Sequence, residues 1–391
     1  MNSISPGRAP SAETARRRLL FLVTEDWYFV SHRLELAIAA REAGYDVAVA
    51  TRVDQHGERI TAAGLKLYPV SFNRGGLNPL EEVRTLAEIG RIYRRMKPDI
   101  VHHVALKPVI YGSLVAKWLG VGGTVNALGG LGFVFSSTAA RARLLRSLIR
   151  PILKFVLGGK RSLLIVQNRG NRDQLISEGM VELGATRLIR GAGVVPDAYR
   201  QVTVESDRPL VILPARLLRD KGVCEFVEAA RLLRNKGVHA RFALVGKPDP
   251  ANPASLAQAE VDRWAAEGVV EYWGWQDDMP KVFASAQIVC LPSYHEGFPK
   301  SLLEAAASGC AIVASDIPGC REIVVPGETG WLVPVQDASR LAEALEQAIT
   351  QPELRAQRGR AARALVVSDF SMRRIAEETI ALYDELSRDR P

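Results

Sequence analysis

The four cysteines, Cys224, Cys290, Cys310 and Cys320, show no CxxC spacing and have no matching histidine cluster. That pattern argues against a zinc site and leaves reduced core thiols as the expectation. Long apolar runs are also missing. The most apolar stretches, RPLVILPAR and IVCLPS, are strand-sized and far below the ~20 residues of a membrane span. Near the N-terminus, ETARRRLLFLVTEDWYF places basic residues before an apolar run shorter than the ~7–15 residues of a signal-peptide core. A cytoplasmic protein is expected. Several catalytic signatures are absent too. Without GxGxxG or GxxxxGK[ST] the chain does not read as an ordinary dinucleotide enzyme or a P-loop nucleotidase, and GxSxG, HExxH and DxD are likewise missing.

What is present is a soluble composition, 47% hydrophobic and 24% charged, over 391 residues. That length suggests two domains. Residues 1–17 are poor in apolar side chains and read as a disordered basic tail. From there short Val/Ile/Leu/Phe runs alternate with amphipathic stretches ending in glycine: RLLFLVT, HRLELAIAAREAG, YDVAVATR, and later KPDIVHHV and GGTVNALGG. This is the pattern of a parallel α/β sheet. A second set begins near Arg208 with RPLVILPAR, GVCEFVEAARLLRNKG and ARFALVG. The fold class is therefore α/β, with two doubly wound parallel-sheet domains, 18–200 and 201–368. The lapse in GVVPDAYRQVTVESDRP marks the join. A last helix within 369–391 is expected to pack back on the first domain.

Ligands of open parallel sheets sit beyond the carboxyl ends of the strands, and in two-domain proteins the cleft between sheets is the natural site. Arg216 and Lys221, in PARLLRDKG, follow one such strand and suit a clamp on a diphosphate, one as a planar fork and one as a point charge. SYHEGFPKSLLEAAASG follows another. Pro299 fits a first helical position, so the helix should start between Glu296 and Glu304. Gly297 permits close backbone approach, and the free N–H groups around Lys300, Ser301 and Leu302 form an anion site. Glu304 falls within an apolar helix and needs a partner, which either a basic side chain or ribose hydroxyls supply. If the whole stretch were helical, the two acids would lie roughly 12 Å apart, too far for the ~5 Å pair of a retaining glycosidase.

With PARLLRDKGVCEF, GWQDDMP, SYHEGFPKSLLEAAASGCAIVASDIPGCREIV and PGETGWLVP in this order, the sequence resembles family 4 retaining glycosyltransferases of the GT-B fold. EDWYFVSHRLELAIAAREAGYDVAVAT, VHHVALKPVIYG and NALGGLGFVFSS resemble the PglA-type branch, which extends saccharides on undecaprenyl diphosphate. The resemblance implies that Arg216 and Lys221 clamp the donor diphosphate and that Glu304 binds the nucleotide ribose. It places Glu296 near the transferred hexose and Gly297, Phe298 and Pro299 as backbone wrapping sugar and phosphates. Two departures stand out. GAGVV (191–195) lacks the asparagine of the usual interdomain loop, and Gly129 stands where many members carry a histidine; Asn126 or backbone groups are candidate substitutes.

Acceptor contacts are sought at His32, Arg33, His102, His103, Lys107 and Asn126 in the first domain. A polar residue packed in the core is the alternative for each histidine. Residues 140–161, ARARLLRSLIRPILKFVLGGKR, carry Arg143, Arg146, Arg150 and Lys154 at three- or four-residue intervals among leucines. This suits an amphipathic helix lying on anionic lipid, with a core-packed helix as the alternative and Pro151 as an interruption. The expectation is a metal-independent, cofactor-free retaining transferase, peripherally attached to the inner face of the membrane. It would move a sugar, an N-acetylated hexosamine by resemblance, from a UDP donor to a lipid-diphosphate-linked saccharide. A sugar-nucleotide epimerase and a non-catalytic protein with a degraded site are the alternatives. A nucleic-acid binder, suggested by the net charge of +8, is disfavoured because the basic residues are dispersed or helical.

Overall fold

Strands such as LLFLV and LVILP are apolar at every position, so each needs apolar partners on both faces, and only a sheet sandwiched between helix layers supplies them. The computed structural model describes residues 16–73, 78–129, 140–200, 207–250 and 252–388. The tail before Arg16 and most of NALGGLGFVFSS lie outside the described residues.

The first sheet contains β1 (Arg18–Glu25), β2 (Asp46–Arg52), β3 (Lys66–Pro69), β4 (Ile100–Val104), β5 (Gly123–Leu128), β6 (Ser162–Val166) and β7 (Thr186–Leu188). The second contains β8 (Leu210–Pro214), β9 (Arg241–Val245), β10 (Glu271–Gly274), β11 (Ile288–Leu291), β12 (Ala311–Ser315) and β13 (Gly330–Val333). All pairings are parallel, in the orders β3-β2-β1-β4-β5-β6-β7 and β10-β9-β8-β11-β12-β13. Each order reverses once, between β1 and β4 and between β8 and β11. These are the topological switch points, where the crossovers diverge and leave a crevice.

Alternate side chains feed opposite layers. Leu19, Phe21 and Val23 pack with Tyr383 and Leu386, whereas Leu20 and Leu22 pack with Ile89 and Tyr93. In the second sheet Ile212, Val289 and Ile312 meet Leu303 and Phe370, while Val211, Cys290 and Val313 meet Phe226 and Leu345. Cys290, Cys310 and Cys320 are buried and Cys224 is half-buried, all of them free thiols. The helix Met372–Arg388 belongs to the second half of the chain but lies on the first sheet, where Ile375, Leu382 and Tyr383 are buried.

The chain crosses between the sheets twice, and the crossings run side by side. Val194 N–H donates to the Phe370 carbonyl at 3.1 Å and Met372 N–H to the Val194 carbonyl at 2.7 Å. Gly191 precedes this crossing with φ +83°, and a Cβ there would strike the Phe298 ring. Both the conformation and the contact require glycine.

Candidate active site

The two switch points converge on one cavity of about 280 Å³. Glu25, Trp27 and Tyr28 reach it from the end of β1, Ala105 and Lys107 from the end of β4, and Arg216 from the end of β8. Ala105 adopts φ +79°. For a residue with a Cβ this is a sparsely populated conformation, the kind of strain that concentrates at functional sites.

On the second-domain side Lys221 and Glu296 form an ion pair, Nζ to Oε1 at 2.6 Å, bringing the loop after β8 to the loop after β11. Both side chains are largely shielded, 18% and 14% exposed, so the pair is less screened than a surface one. Arg216 is aimed by Asp249, from the loop after β9, through Nη1 to Oδ2 at 2.7 Å. The helix Lys300–Ala307 starts one residue later than expected, with Pro299 as the extended N-cap. Glu304 is buried, and its Oε1 accepts from the Tyr199 hydroxyl at 2.7 Å and pairs with Lys300. Burial and the Glu304 charge both push the Tyr199 hydroxyl pKa far up, which keeps it a donor. The partner Glu304 needs is thus supplied internally, and a ribose would add to this arrangement rather than complete it. Phe298 is buried edge-on against Phe370, with ring centroids 5.2 Å apart, so Gly297, Phe298 and Pro299 offer backbone rather than side chains to the cleft. Asn168 of the first domain donates to the Gly297 carbonyl at 2.6 Å and ties this loop across the interface.

The first-domain candidates divide. Lys107 lines the cavity and is held by the Glu82 carboxylate and the Asn73 carbonyl, each at 2.7 Å. His32 ends the helix Asp26–His32 and stacks on Tyr28, with centroids 4.2 Å apart. Burial, followed by the positive charges of Lys300 and Arg33, lowers its pKa to about 3, so the imidazole is neutral. Arg33 is buried with the His32 carbonyl as acceptor for Nη1, and its charge is felt by His102 and Tyr383 in the layer beneath as well as by His32.

His103 and Asn126 correct the expectation of acceptor contact. Both are fully buried and bond each other, Nδ1 to Oδ1 at 2.9 Å, while His103 Nε2 meets the Tyr93 hydroxyl at 2.8 Å. The same holds for His102, whose Nδ1 meets the Tyr383 hydroxyl at 2.6 Å. The physical reason is that β4 is central, covered by helices on both faces, so neither histidine of VHHV has a solvent side. Asn126 therefore cannot replace the missing histidine at Gly129. A Cβ on Gly129 would instead lie 3.2 Å from the Tyr28 hydroxyl. Tyr28 occupies the space that a side chain at 129 would enter, and with Trp27 and Glu25 it is what the sequence reading missed. The signal was the aromatic cluster DWYF directly after the first strand.

In the helix Ala140–Leu157, Leu153, Val156 and Leu157 join the core with Val109 and Leu164, whereas Arg150, Ile152, Lys154 and Phe155 face outward. Arg146 is half-buried, and the side chain of Arg143 lies outside the described residues. Among the described side chains the inward side is thus core packing, and the outward face is available to a partner. No helix among the described residues is long and apolar enough to cross a membrane, and no group of three or more His, Cys, Asp or Glu side chains there could hold a metal ion.

Two parallel-sheet domains with facing switch points define the GT-B architecture. Residues 18–168 match the glycosyl transferase 4-like family and 196–365 match glycosyl transferases group 1, and the chain belongs to these glycosyltransferases. It is 28% identical to the N,N'-diacetylbacillosaminyl-diphospho-undecaprenol alpha-1,3-N-acetylgalactosaminyltransferase of Campylobacter jejuni, over 91% of this chain and 96% of that one. It is 24% identical to the putative glycosyltransferase EpsD of Bacillus subtilis, over 94% and 96%. The fold matches that of Anabaena HepE solved with UDP and glucose, with a TM-score of 0.74 at 17% identity, covering 94% of this chain and 100% of that one.

Proposed function

We propose that the chain is a retaining, metal-independent transferase that moves a sugar, an N-acetylated hexosamine, from a UDP-sugar to a saccharide linked through diphosphate to a lipid. It would act from the cytoplasmic face of the membrane in glycan assembly. The observation that carries this reading is Arg216 facing a first-domain wall of Trp27, Tyr28 and Lys107 in one cavity, with Lys221 joined to Glu296 on the loop that leads into the helix Lys300–Ala307. The second-domain loops thus carry two cations and a helix N-terminus, across from a wall able to seat a second sugar. The nature of the acceptor is inferred from the name of the Campylobacter relative, which shares most of its length with this chain.

Such a reaction asks for charge neutralisation and alignment rather than a strong base. The bond from the anomeric carbon to the diphosphate breaks as the acceptor hydroxyl attacks from the same face. The hydroxyl proton passes to the departing phosphate oxygen. Arg216 and Lys221 would neutralise the diphosphate, the amides near Lys300 and Ser301 would donate to it, Glu304 would hold the ribose and Glu296 would face the transferred sugar.

A thermal-shift screen of UDP- and GDP-sugars tests the donor, because a ligand that binds only the native state raises the melting temperature. UDP-N-acetylhexosamines should stabilise the protein, and Glu304→Gln should weaken that binding by roughly ten- to a hundredfold, the loss of one charge-assisted hydrogen bond at about 1.5–3 kcal/mol. Equal donor affinity in the variant overturns the ribose assignment. Release of an epimerised sugar without any acceptor would instead favour a sugar-nucleotide epimerase.

A further inference from the structure

We propose that the arginine-lined groove along the outer edge of the first sheet holds the diphosphate of the acceptor, on the lipid-linked reading given above. The groove has a volume of about 1230 Å³ and lies between β3, residues 70–73 and the helix Pro79–Met96. Its floor includes Tyr68, Val70, Phe72 and Ile92, and its walls carry Arg52, Arg84, Arg91 and Arg95. Arg84, Glu88, Arg91 and Arg95 recur at three- or four-residue steps and therefore form one stripe of the helix. From Arg84 to Arg95 the stripe is roughly 16 Å long at 1.5 Å per residue.

An exposed helix commonly balances such arginines with neighbouring acids, but this stripe is unbalanced. Glu88 pairs with Arg84 at 3.1 Å and accepts from Ser71 N–H at 2.8 Å, while Glu81 accepts from Asn73 Nδ2 at 2.9 Å. Among the described residues Arg91 and Arg95 have no carboxylate partner. The groove also adjoins the cleft. Arg52 pairs with Glu25 Oε1 at 2.9 Å, and Glu25 Oε2 accepts from Trp27 Nε1 at 2.8 Å. Lys107 reaches from the cleft cavity to the carbonyl of Asn73, which lines the groove. Groove and cavity thus share a wall, and a ligand with its sugar beside Arg216 can extend past Glu25 into the groove.

Guanidinium forks on an apolar floor fit a doubly charged diphosphate followed by hydrocarbon. Phospholipid headgroups share the anionic chemistry, so the test separates them. With the donor site saturated by UDP, binding of geranyl diphosphate is measured by calorimetry for the full chain and for the double variant Arg91→Gln/Arg95→Gln. The affinity should fall at least about tenfold, the equivalent of 1.4 kcal/mol. UDP affinity, the melting temperature and co-sedimentation with phosphatidylglycerol vesicles should stay unchanged. Equal geranyl diphosphate affinity, or lost vesicle binding with retained geranyl diphosphate binding, overturns the proposal. Failure of UDP to bind the unmodified protein would strike the donor reading instead, so the two failures are distinguishable.

Discussion

His103 shows how one buried residue ties the first domain to pH. Asn126 Oδ1 accepts from its Nδ1–H and the Tyr93 hydroxyl donates to its Nε2, an arrangement that fixes the neutral ring. Burial lowers its pKa from 6.5 to about 4. In the unfolded chain the imidazole takes up a proton between those values, whereas in the folded chain it does not. The unfolded state therefore binds more protons across that window, and stability falls as pH drops from about 6.5 to 4, by about 1.4 kcal/mol per pH unit for this group. Above pH 7 the contribution is flat. Burial shifts His102 and His32 in the same direction, so their effects add. Urea unfolding at pH 7.5, 6 and 5 should show this loss, and His103→Gln should reduce its slope by about the amount given above. An identical pH dependence in the variant would mean that His103 is not the linked group.

At the level of elements, the helix Ala140–Leu157 serves two environments at once. Its inner side is core, and its outer side presents Arg150 and Lys154 beside Ile152 and Phe155, the latter 62% exposed. Lys117 Nζ lies 5.5 Å from the Phe155 ring centroid, and the neighbouring Trp118 is 71% exposed beneath the Arg94 guanidinium at 4.6 Å. Aromatic and basic side chains together suit the interfacial region of an anionic bilayer. Each cation near such a surface contributes about 1 kcal/mol, so Arg146, Arg150 and Lys154 changed together to glutamine should lower binding to phosphatidylglycerol vesicles about a hundredfold. Undiminished co-sedimentation would refute a membrane role for this face. The sequence discloses such elements unevenly. Strands buried on both faces announce themselves as unbroken apolar runs, and glycines mark the helix ends, so both sheets were legible. The loops carrying Arg216, Lys221 and Glu296 were legible because they follow those runs directly. The fate of VHHV was not, because it depends on Tyr93 and on Tyr383, which lies 281 residues from His102. Such long-range satisfaction leaves no local pattern. Tyr28 escaped for a related reason, since its importance comes from the space left by Gly129 on a different strand end.

At the scale of the whole molecule, the relation of the two sheets rests on a few polar contacts beside the paired crossings. Arg190 lies over the Phe370 ring at 4.7 Å and within 4 Å of both Glu322 and Asp369, and thereby packs the first crossing against the second. Asn168 acts closer to the cleft and has two tasks. Its Oδ1 accepts from Asn171 N–H at 2.7 Å to cap the helix Arg169–Ser177, and its Nδ2 donates to the Gly297 carbonyl. Asn168→Asp separates these tasks, because a carboxylate still caps the helix, and favourably so at a helix N-terminus. It cannot donate to Gly297, and it sets a negative charge against that carbonyl in a buried place. Losing a buried hydrogen bond in this way costs about 1–3 kcal/mol. Because the lost bond holds the loop between Glu296 and the helix Lys300–Ala307 to the first domain, the cost should appear as a looser cleft rather than a disrupted helix. The donor KM should rise about tenfold, and small-angle scattering should show a larger radius of gyration. Asn168→Ala, which removes the cap as well, should add a fall in melting temperature. An unchanged donor KM and scattering profile in Asn168→Asp would show that the bond from Asn168 to Gly297 does not hold the domains together.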